Sequence, residues 1–357
     1  MLSSYINYSQ LSIDLRQWYL KNHRLLPWRA EPGQCVDPYK VWLSEIMLQQ
    51  TTVATVKSYF LKFIEIWPSL DDLADSSQEE VLAQWAGLGY YSRARNLHKC
   101  AQIIQNDYGG KFPETEAALL KLPGIGAYTA AAITAIAFQK RAVVVDGNIE
   151  RIVARLFNIE TPLPQAKVDI KLATANITPD KYSGDFAQGM MDIGASICTP
   201  KAPKCLLCPI SSYCMAKKIG KAETLPKKEP KKVKPVRRAY FYWIENKEGE
   251  VWFIKRPEKG LLGGMPALPS TNWDSAKENG KKFEEAKAEL HQDIAIKGIE
   301  AKGQITHVFT HFKMEAKLIC IKKEELNDFP NEGYWVSEKD VDGLGLPTLL
   351  QKVISLK

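Results

Sequence analysis

Residues 119–151, LLKLPGIGAYTAAAITAIAFQKRAVVVDGNIER, read as a short helix, a tight turn, a second helix, and an apolar run that stops at an acid. The turn is Leu122-Pro123-Gly124-Ile125-Gly126. Its two glycines let the backbone approach whatever lies outside, because neither carries a Cβ. The Ala-rich stretch 127–138 favours a helix. The start of that helix would aim unpaired amides and the positive end of its dipole at the turn, a seat for a phosphate. A helix–hairpin–helix of this kind can grip a nucleic-acid backbone without reading bases. An ordinary helical hairpin with a Gly-containing turn is the alternative. Val143, Val144 and Val145 then lead to Asp146, placed to cap a helix starting at Ile149.

Working outward, 357 residues exceed the usual size of one domain, and 45% apolar residues suffice for a real core. The net charge of +7 suits a polyanionic partner. That charge is concentrated from Lys217 to Arg238, where only Glu223 and Glu229 oppose the basic residues. Residues 216–236, rich in Lys and Pro, read as an extended, self-repelling linker. The N-terminal stretch lacks a signal-peptide pattern and no run is long enough to cross a bilayer, so a soluble, cytoplasmic protein is expected.

Seven cysteines, four of them at Cys198-x6-Cys205-x2-Cys208-x5-Cys214, suggest a metal site rather than disulfides. Zinc is one occupant for four thiolates, an iron–sulfur cluster another. Cys35, Cys100 and Cys320 stand apart and read as plain thiols.

Upstream, Asp37 and Pro38 start a helix that carries Glu45 among Trp42, Ile46 and Leu48. The carboxyl lies at a solvent edge or faces a pocket; in a pocket, burial would make it a proton donor near neutrality. Helices are expected at 53–66, 78–86, 93–105, 149–157 and 183–197, with a Gly-rich aromatic loop, Gly87 to Arg95, between the second and third. From Arg237 the period changes. Runs at 240–244 and 251–255 flank a turn, and Phe312, Met314, Ala316, Leu318 and Cys320 alternate with Lys313, Glu315 and Lys317 as in a half-buried strand. With helices near 274–290 and 347–354 the region is α+β.

LPGIGAYTA followed by VVVDGNIER resembles the helix–hairpin–helix/Gly-Pro-Asp superfamily of DNA glycosylases, whose catalytic aspartate falls at Asp146. The endonuclease III branch has a nucleophilic Lys where this chain has Tyr128, as adenine DNA glycosylases (MutY type) commonly do. WLSEIMLQQT and GLGYYSRARNLH are similar to the segments of that branch carrying the catalytic Glu, here Glu45, a minor-groove tip, here Gln50 and Thr51, and a wedging aromatic, here Tyr90. The resemblance makes Trp28, Arg29, Leu48 and Gln188 the adenine pocket, and Leu122, Gly124 and Gly126 DNA contacts. It assigns a [4Fe-4S] cluster to Cys198, Cys205, Cys208 and Cys214.

The C-terminal region resembles the Nudix-like domain of these enzymes, which recognises oxidised guanine; His307, Phe309, Thr310 and His311 would serve that role. The match departs at residues 265–269 and at Thr310, where the family has Ser. No acidic Nudix box is visible, so pyrophosphatase activity is not expected.

The implied fold is a mostly α catalytic region over 1–215 (a six-helix module at 30–140, and a cluster module of 1–29 with 141–215), the linker, and a Nudix-like α+β domain at 237–357. The implied activity, in a monomer, is hydrolysis of the N-glycosidic bond of adenine opposite 8-oxoguanine (or guanine) in double-stranded DNA. Glu45 would be the general acid, Asp146 the stabiliser of the oxocarbenium ion, with Tyr128 and Asn148 positioning them. Two rivals are an endonuclease III-like glycosylase/lyase on damaged pyrimidines, which needs a Lys at 128, and a non-catalytic DNA-binding iron–sulfur protein.

Overall fold

The structure, a computed structural model, describes residues 7–31, 34, 36–230, 233–257, 260–273, 282–287, 292–326 and 332–357. Cys35 and much of the expected helix near 274–290 lie outside these residues. The chain divides into two compact units, Met1–Ser76 with Asn96–Pro230, and Ser77–Arg95 with Lys231–Lys357.

The helices up to residue 218 are α1 (Tyr8–Asn22), α2 (Pro38–Leu48), α3 (Val53–Ile66), α4 (Leu70–Asp75), α5 (Gln78–Trp85), α6 (Ser92–Tyr108), α7 (Glu116–Leu119), α8 (Ala127–Ile136), α9 (Gly147–Leu156), α10 (Lys167–Ile177), α11 (Ser183–Ser196) and α12 (Met215–Lys218). Local chemistry sets several of their starts. Asp37 caps α2 by accepting from the Tyr39 amide, with Pro38 in the first turn, and Thr52 caps α3. Ser69 with Asp72, and Ser77 with Glu80, form capping boxes on α4 and α5. Helices α4 and α10 have no counterpart in the sequence reading.

Helix α8 is the centre of the first unit. From Thr129 to Ile136 every residue is buried, because α2 packs on one side of it and α11 on another. An Ala-rich helix permits that close approach on all faces. In the preceding turn, Leu122 and Ile125 are 4% and 5% exposed, so they anchor the hairpin in the core and what Leu122 offers outward is backbone. Gly124 and Gly126 lie exposed. Gly124 takes φ +76°, and a Cβ there would meet the Asn96 Cβ at 2.9 Å.

Residues 216–230, expected as a free tether, are partly packed. Leu225 is 2% exposed, Lys228 bridges to Leu163, and Glu160 pairs with Lys221 at 2.7 Å and Lys227 at 3.2 Å. The sequence reading counted the lysines as a repelling run; an acid distant in sequence, which only folding brings near, offsets them.

The second unit is built on a mixed sheet of β1 (Val236–Glu245), β2 (Glu250–Lys255), β3 (Pro266–Ala267), β4 (Ile299–Glu300), β5 (Ile305–Val308), β6 (Lys313–Lys322) and β7 (Tyr334–Ser337). Its order is β3-β2-β1-β6-β4, with β5 also on β6 and β7 also on β2. Strands β1 and β6 run parallel from Val236↔Lys313 to Glu245↔Lys322, and the other pairs are antiparallel. Alternation along β1 fills two cores. Phe241 and Trp243 face one, with Met314, Leu318 and α15 (Thr348–Ile354); Tyr240 and Tyr242 face the other, with Ile319, Ala286 and Ile294. Ala286 and Ile294 belong to α13 (Phe283–Lys287) and α14 (Gln292–Lys297). Both faces of β6 are therefore covered over part of its length, which the half-buried pattern did not anticipate. Among the described residues no helix is long and apolar enough to cross a membrane.

Candidate active site

A cavity of about 780 Å³ opens in the first unit where α2, the α8 start, the α9 start and α11 meet, and both Glu45 and Asp146 line it. Glu45 is 6% exposed on α2. The Tyr128 hydroxyl, from the first turn of α8, donates to Glu45 Oε2 at 2.6 Å. Asp146 caps α9: its Oδ1 accepts from the Ile149 amide at 2.7 Å and its Oδ2 from Asn148 Nδ2 at 2.9 Å.

The two acids sit in unequal surroundings. Burial raises the Glu45 carboxyl from its ordinary 4.5 to about 7; the Tyr128 bond and Arg29 pull it back, and the Asp146 charge pushes it further up. Burial also raises Asp146, but the donors at Ile149 and Asn148, and the Arg151 charge, favour its ionised form. Both carboxyls are raised by burial, but Asp146 has three kinds of partner that favour its ionised form, the Ile149 and Asn148 donors and the Arg151 charge, whereas Glu45 has the Tyr128 bond and Arg29.

Asn148 is held in turn. Arg151 donates to its Oδ1 at 2.9 Å, and also to the carbonyls of Gly194 and Cys198, each at 2.7 Å. A Cβ on Gly194 would meet the Asn148 Cβ at 2.5 Å, so only glycine leaves room for that side chain. Of the other expected residues, Trp28, Arg29, Leu48, Gln50, Thr51 and Gln188 all line the cavity, as do Gly124 and Gly126 at its edge. Gln188 is buried on α11 (7% exposed) and bonds its own helix at the Gly184 carbonyl. Gln50 takes φ +58°, a left-handed conformation costly for an L residue, at the tip after α2. Leu122 does not line the cavity.

Two further groups line or brace the cavity without standing in a sequence motif. Arg24 lines the cavity, and Asp192, 1% exposed, accepts from both Arg24 and Arg29. The available signal was an acid inside the apolar run Met190-Met191-Asp192-Ile193, the same signal that drew notice to Glu45.

Cys198, Cys205, Cys208 and Cys214 line one small cavity of about 30 Å³, also in the first unit. Arg155, 1% exposed, donates to Cys198 Sγ at 3.2 Å and to the carbonyls of Thr199, Pro200 and Leu225. Among the described residues no three His, Cys, Asp or Glu side chains are grouped to hold a single metal ion.

In the second unit a cavity of about 360 Å³ is lined by Tyr90, His307, Phe309, Thr310 and His311. Tyr90, at φ +49° and 47% exposed, hydrogen-bonds through its hydroxyl to Thr310 Oγ1 at 2.7 Å. The His307 ring meets Phe309 edge-on with centroids 4.7 Å apart.

Comparison with known proteins agrees with this geometry. The chain is 38% identical over 360 residues to the adenine DNA glycosylase of Buchnera aphidicola (Acyrthosiphon pisum), covering 99% of this chain and 98% of that protein. The chain belongs to the adenine DNA glycosylase family. The human adenine DNA glycosylase is 31% identical, covering 95% of this chain and 72% of that protein. Residues 43–174 match the model of the HhH-GPD superfamily base excision DNA repair proteins, and residues 240–356 match a NUDIX domain. A thermostable thymine-DNA glycosylase superposes with TM-score 0.53 at 32% identity, over 59% of this chain and 97% of that one. The chain is thus a base-excision-repair glycosylase with a helical helix–hairpin–helix region and a Nudix-like mixed-sheet domain, as the sequence led one to expect.

Proposed function

We propose that this protein hydrolyses the N-glycosidic bond of adenine opposite 8-oxoguanine (or guanine) in duplex DNA, without cutting the strand. One observation carries the reading: the Glu45 and Asp146 carboxyls line a single cavity with room for an extruded base, and burial raises Glu45 to about 7. A base stacked in a duplex is out of reach, so adenine must swing into that cavity. Gln50, Thr51 and Tyr90 would hold the distorted strand, and Trp28, Leu48 and Gln188 would pack the base. Adenine leaves poorly as an anion. Glu45 donates its proton to N7, the base departs neutral, and positive charge develops on the sugar beside the Asp146 carboxylate. Asp146 stabilises that cation or bonds to it transiently; Glu45, now ionised, activates water to close the cycle. Tyr128 and Asn148 keep the two carboxyls in place. Tyr128 cannot form a Schiff base with the sugar, which speaks against a lyase.

The test is base release from A·8-oxoguanine, A·G and A·C duplexes, with strand scission scored before and after alkali. Release fastest from A·8-oxoguanine, and scission only after alkali, are expected. Scission without alkali, together with a borohydride-trapped protein–DNA adduct, would replace this reading with the lyase.

The turn at 122–126 would hold a phosphate with its amides: Gly126 caps α8 without a side-chain bond, leaving the first-turn N–H groups open. Two substitutions separate its folding from its binding. Gly124→Ala should cost about 1–3 kcal/mol in urea unfolding, from the left-handed backbone and the Asn96 clash. Gly126→Ala meets nothing within 4 Å, so unfolding should be nearly unchanged while DNA affinity falls. Unaltered affinity would remove the turn from the DNA interface.

The four cysteines fit a [4Fe-4S] cluster. All four line one small cavity, and four cysteine thiolates are the ligand set such a cluster uses; a four-thiolate zinc site is the alternative. The Arg155 donor to Cys198 Sγ suits a thiolate. Bound there, the cluster would tie residues 198–214 together, a segment that Arg155 joins to α9 by hydrogen bonds, and would take no part in base removal. We further infer that the second-unit cavity, with Tyr90 and Thr310 at its wall, meets the oxidised guanine, and that the protein works as a cytoplasmic monomer.

A further inference from the structure

Asp192 is a buried acid that the reaction just described does not use. It accepts three hydrogen bonds: from the Arg24 amide at 3.0 Å, from Arg24 Nε at 2.6 Å, and from Arg29 Nη1 at 2.8 Å. Its side chain is 1% exposed, and that of Arg29 is 8% exposed. Both arginines follow α1 and both line the Glu45 cavity. Two cations therefore border the cavity in which one carboxyl has to keep its proton. An uncompensated guanidinium in such low-dielectric surroundings would draw Glu45 into its ionised form.

We propose that Asp192 is a positioning residue for excision: it pins Arg29 to the cavity wall and offsets its charge there, so that Glu45 remains the proton donor. The proposal rests on the reading of Glu45 as general acid. Geometry supports it first, since Arg24 Nε holds Oδ1 while Oδ2 accepts from both the Arg24 amide and Arg29, which fixes the carboxylate against Arg29. Electrostatics agree. Burial works against the Asp192 carboxylate, yet Arg29 and Arg24 outweigh it and hold the carboxyl below its usual range. The groups that act on Glu45 are Tyr128 from α8, Asp146 from the start of α9, and Arg29; of these Arg29 is the cation. Asp192 thus pairs with the cation that acts on Glu45. A purely structural ion pair would share the burial, but it would leave the titration of excision untouched.

The experiment is the pH profile of single-turnover adenine release by the full-length protein on the A·8-oxoguanine duplex. Wild type should lose activity as pH rises through about 7, the value at which Glu45 ionises. Asp192→Asn should move that alkaline limb down by about one pH unit, giving about a tenfold loss at pH 8 that recovers towards pH 5. Asp192→Glu, which restores the charge, should move the limb back towards wild type. Arg29→Met should move it upward, and in the double variant with Asp192→Asn the downward shift should vanish.

An unmoved limb with uniform loss at every pH would overturn the proposal, as would a downward shift that persists without Arg29. If Asp192→Asn does not fold, Arg29→Met decides alone, and an unmoved limb there is equally fatal. A wild-type chain that releases no adenine would instead fail the parent reading.

Discussion

Asp146→Asn should slow single-turnover release of adenine by about 10³-fold or more while leaving the fold and DNA binding nearly intact. Two explanations of this residue compete, and the substitution separates them. As an N-cap, Asp146 accepts from the Ile149 amide at 2.7 Å, and asparagine caps a helix about as well as aspartate. Unfolding free energy should therefore change by no more than about 0.5 kcal/mol. As a catalytic group, Asp146 supplies a full negative charge beside the sugar cation, which the amide lacks. Asp146→Ala removes both functions and should cost about 1 kcal/mol of stability as well as the activity. Retention of near-normal release by Asp146→Asn would leave capping as the sole role of the residue and defeat the mechanism.

Glu45→Gln should lower release by about 10³-fold as well, and its stability effect should carry the opposite sign. The Glu45 carboxyl ionises near 4.5 in the unfolded chain and at about 7 in the folded one. Between those values the folded state binds more protons, so ionising Glu45 erodes stability as pH rises from 4.5 to about 7, and the penalty persists above. Glutamine does not titrate. The variant should match wild type at pH 4–5 and exceed it by about 1–3 kcal/mol at pH 8. Thermal unfolding at the two pH values checks this, and equal stability at both would mean the carboxyl is not buried in an apolar setting. Activity and stability would then trade at a single residue, because a carboxyl kept from water is both a usable acid and a liability to the fold.

Much of the candidate site is legible in the sequence alone. The turn with two glycines, the acid closing an apolar run, and the four-cysteine spacing are local signals, since each depends on residues within one short stretch. The hairpin rests on Gly124, which needs a left-handed backbone, and the cap at Asp146 rests on a three-residue reach. Other features stayed hidden. Helix α10 carries no clear local signal, and residues 216–230 meet partners some sixty residues or more away along the chain, Glu160 with Lys221 and Lys227, and Arg155 with the Leu225 carbonyl. Gly194 looked like any helical glycine until Asn148 was seen to occupy the space its Cβ would need.

Residue types and their short-range spacing settled most of the helices, where the hairpin turns, and which side chains are candidates for the chemistry, because capping, backbone sterics and helical periodicity act over a few residues. Whether Glu45 faced water or a pocket was beyond that reach, and so was the pairing of Asp192 with two arginines. Those outcomes depend on α2, α8, α9 and α11 closing around one cavity. Burial and electrostatic neighbourhood are properties of the packed whole, and they alone give two ordinary carboxyls the unequal surroundings on which the proposed roles rest.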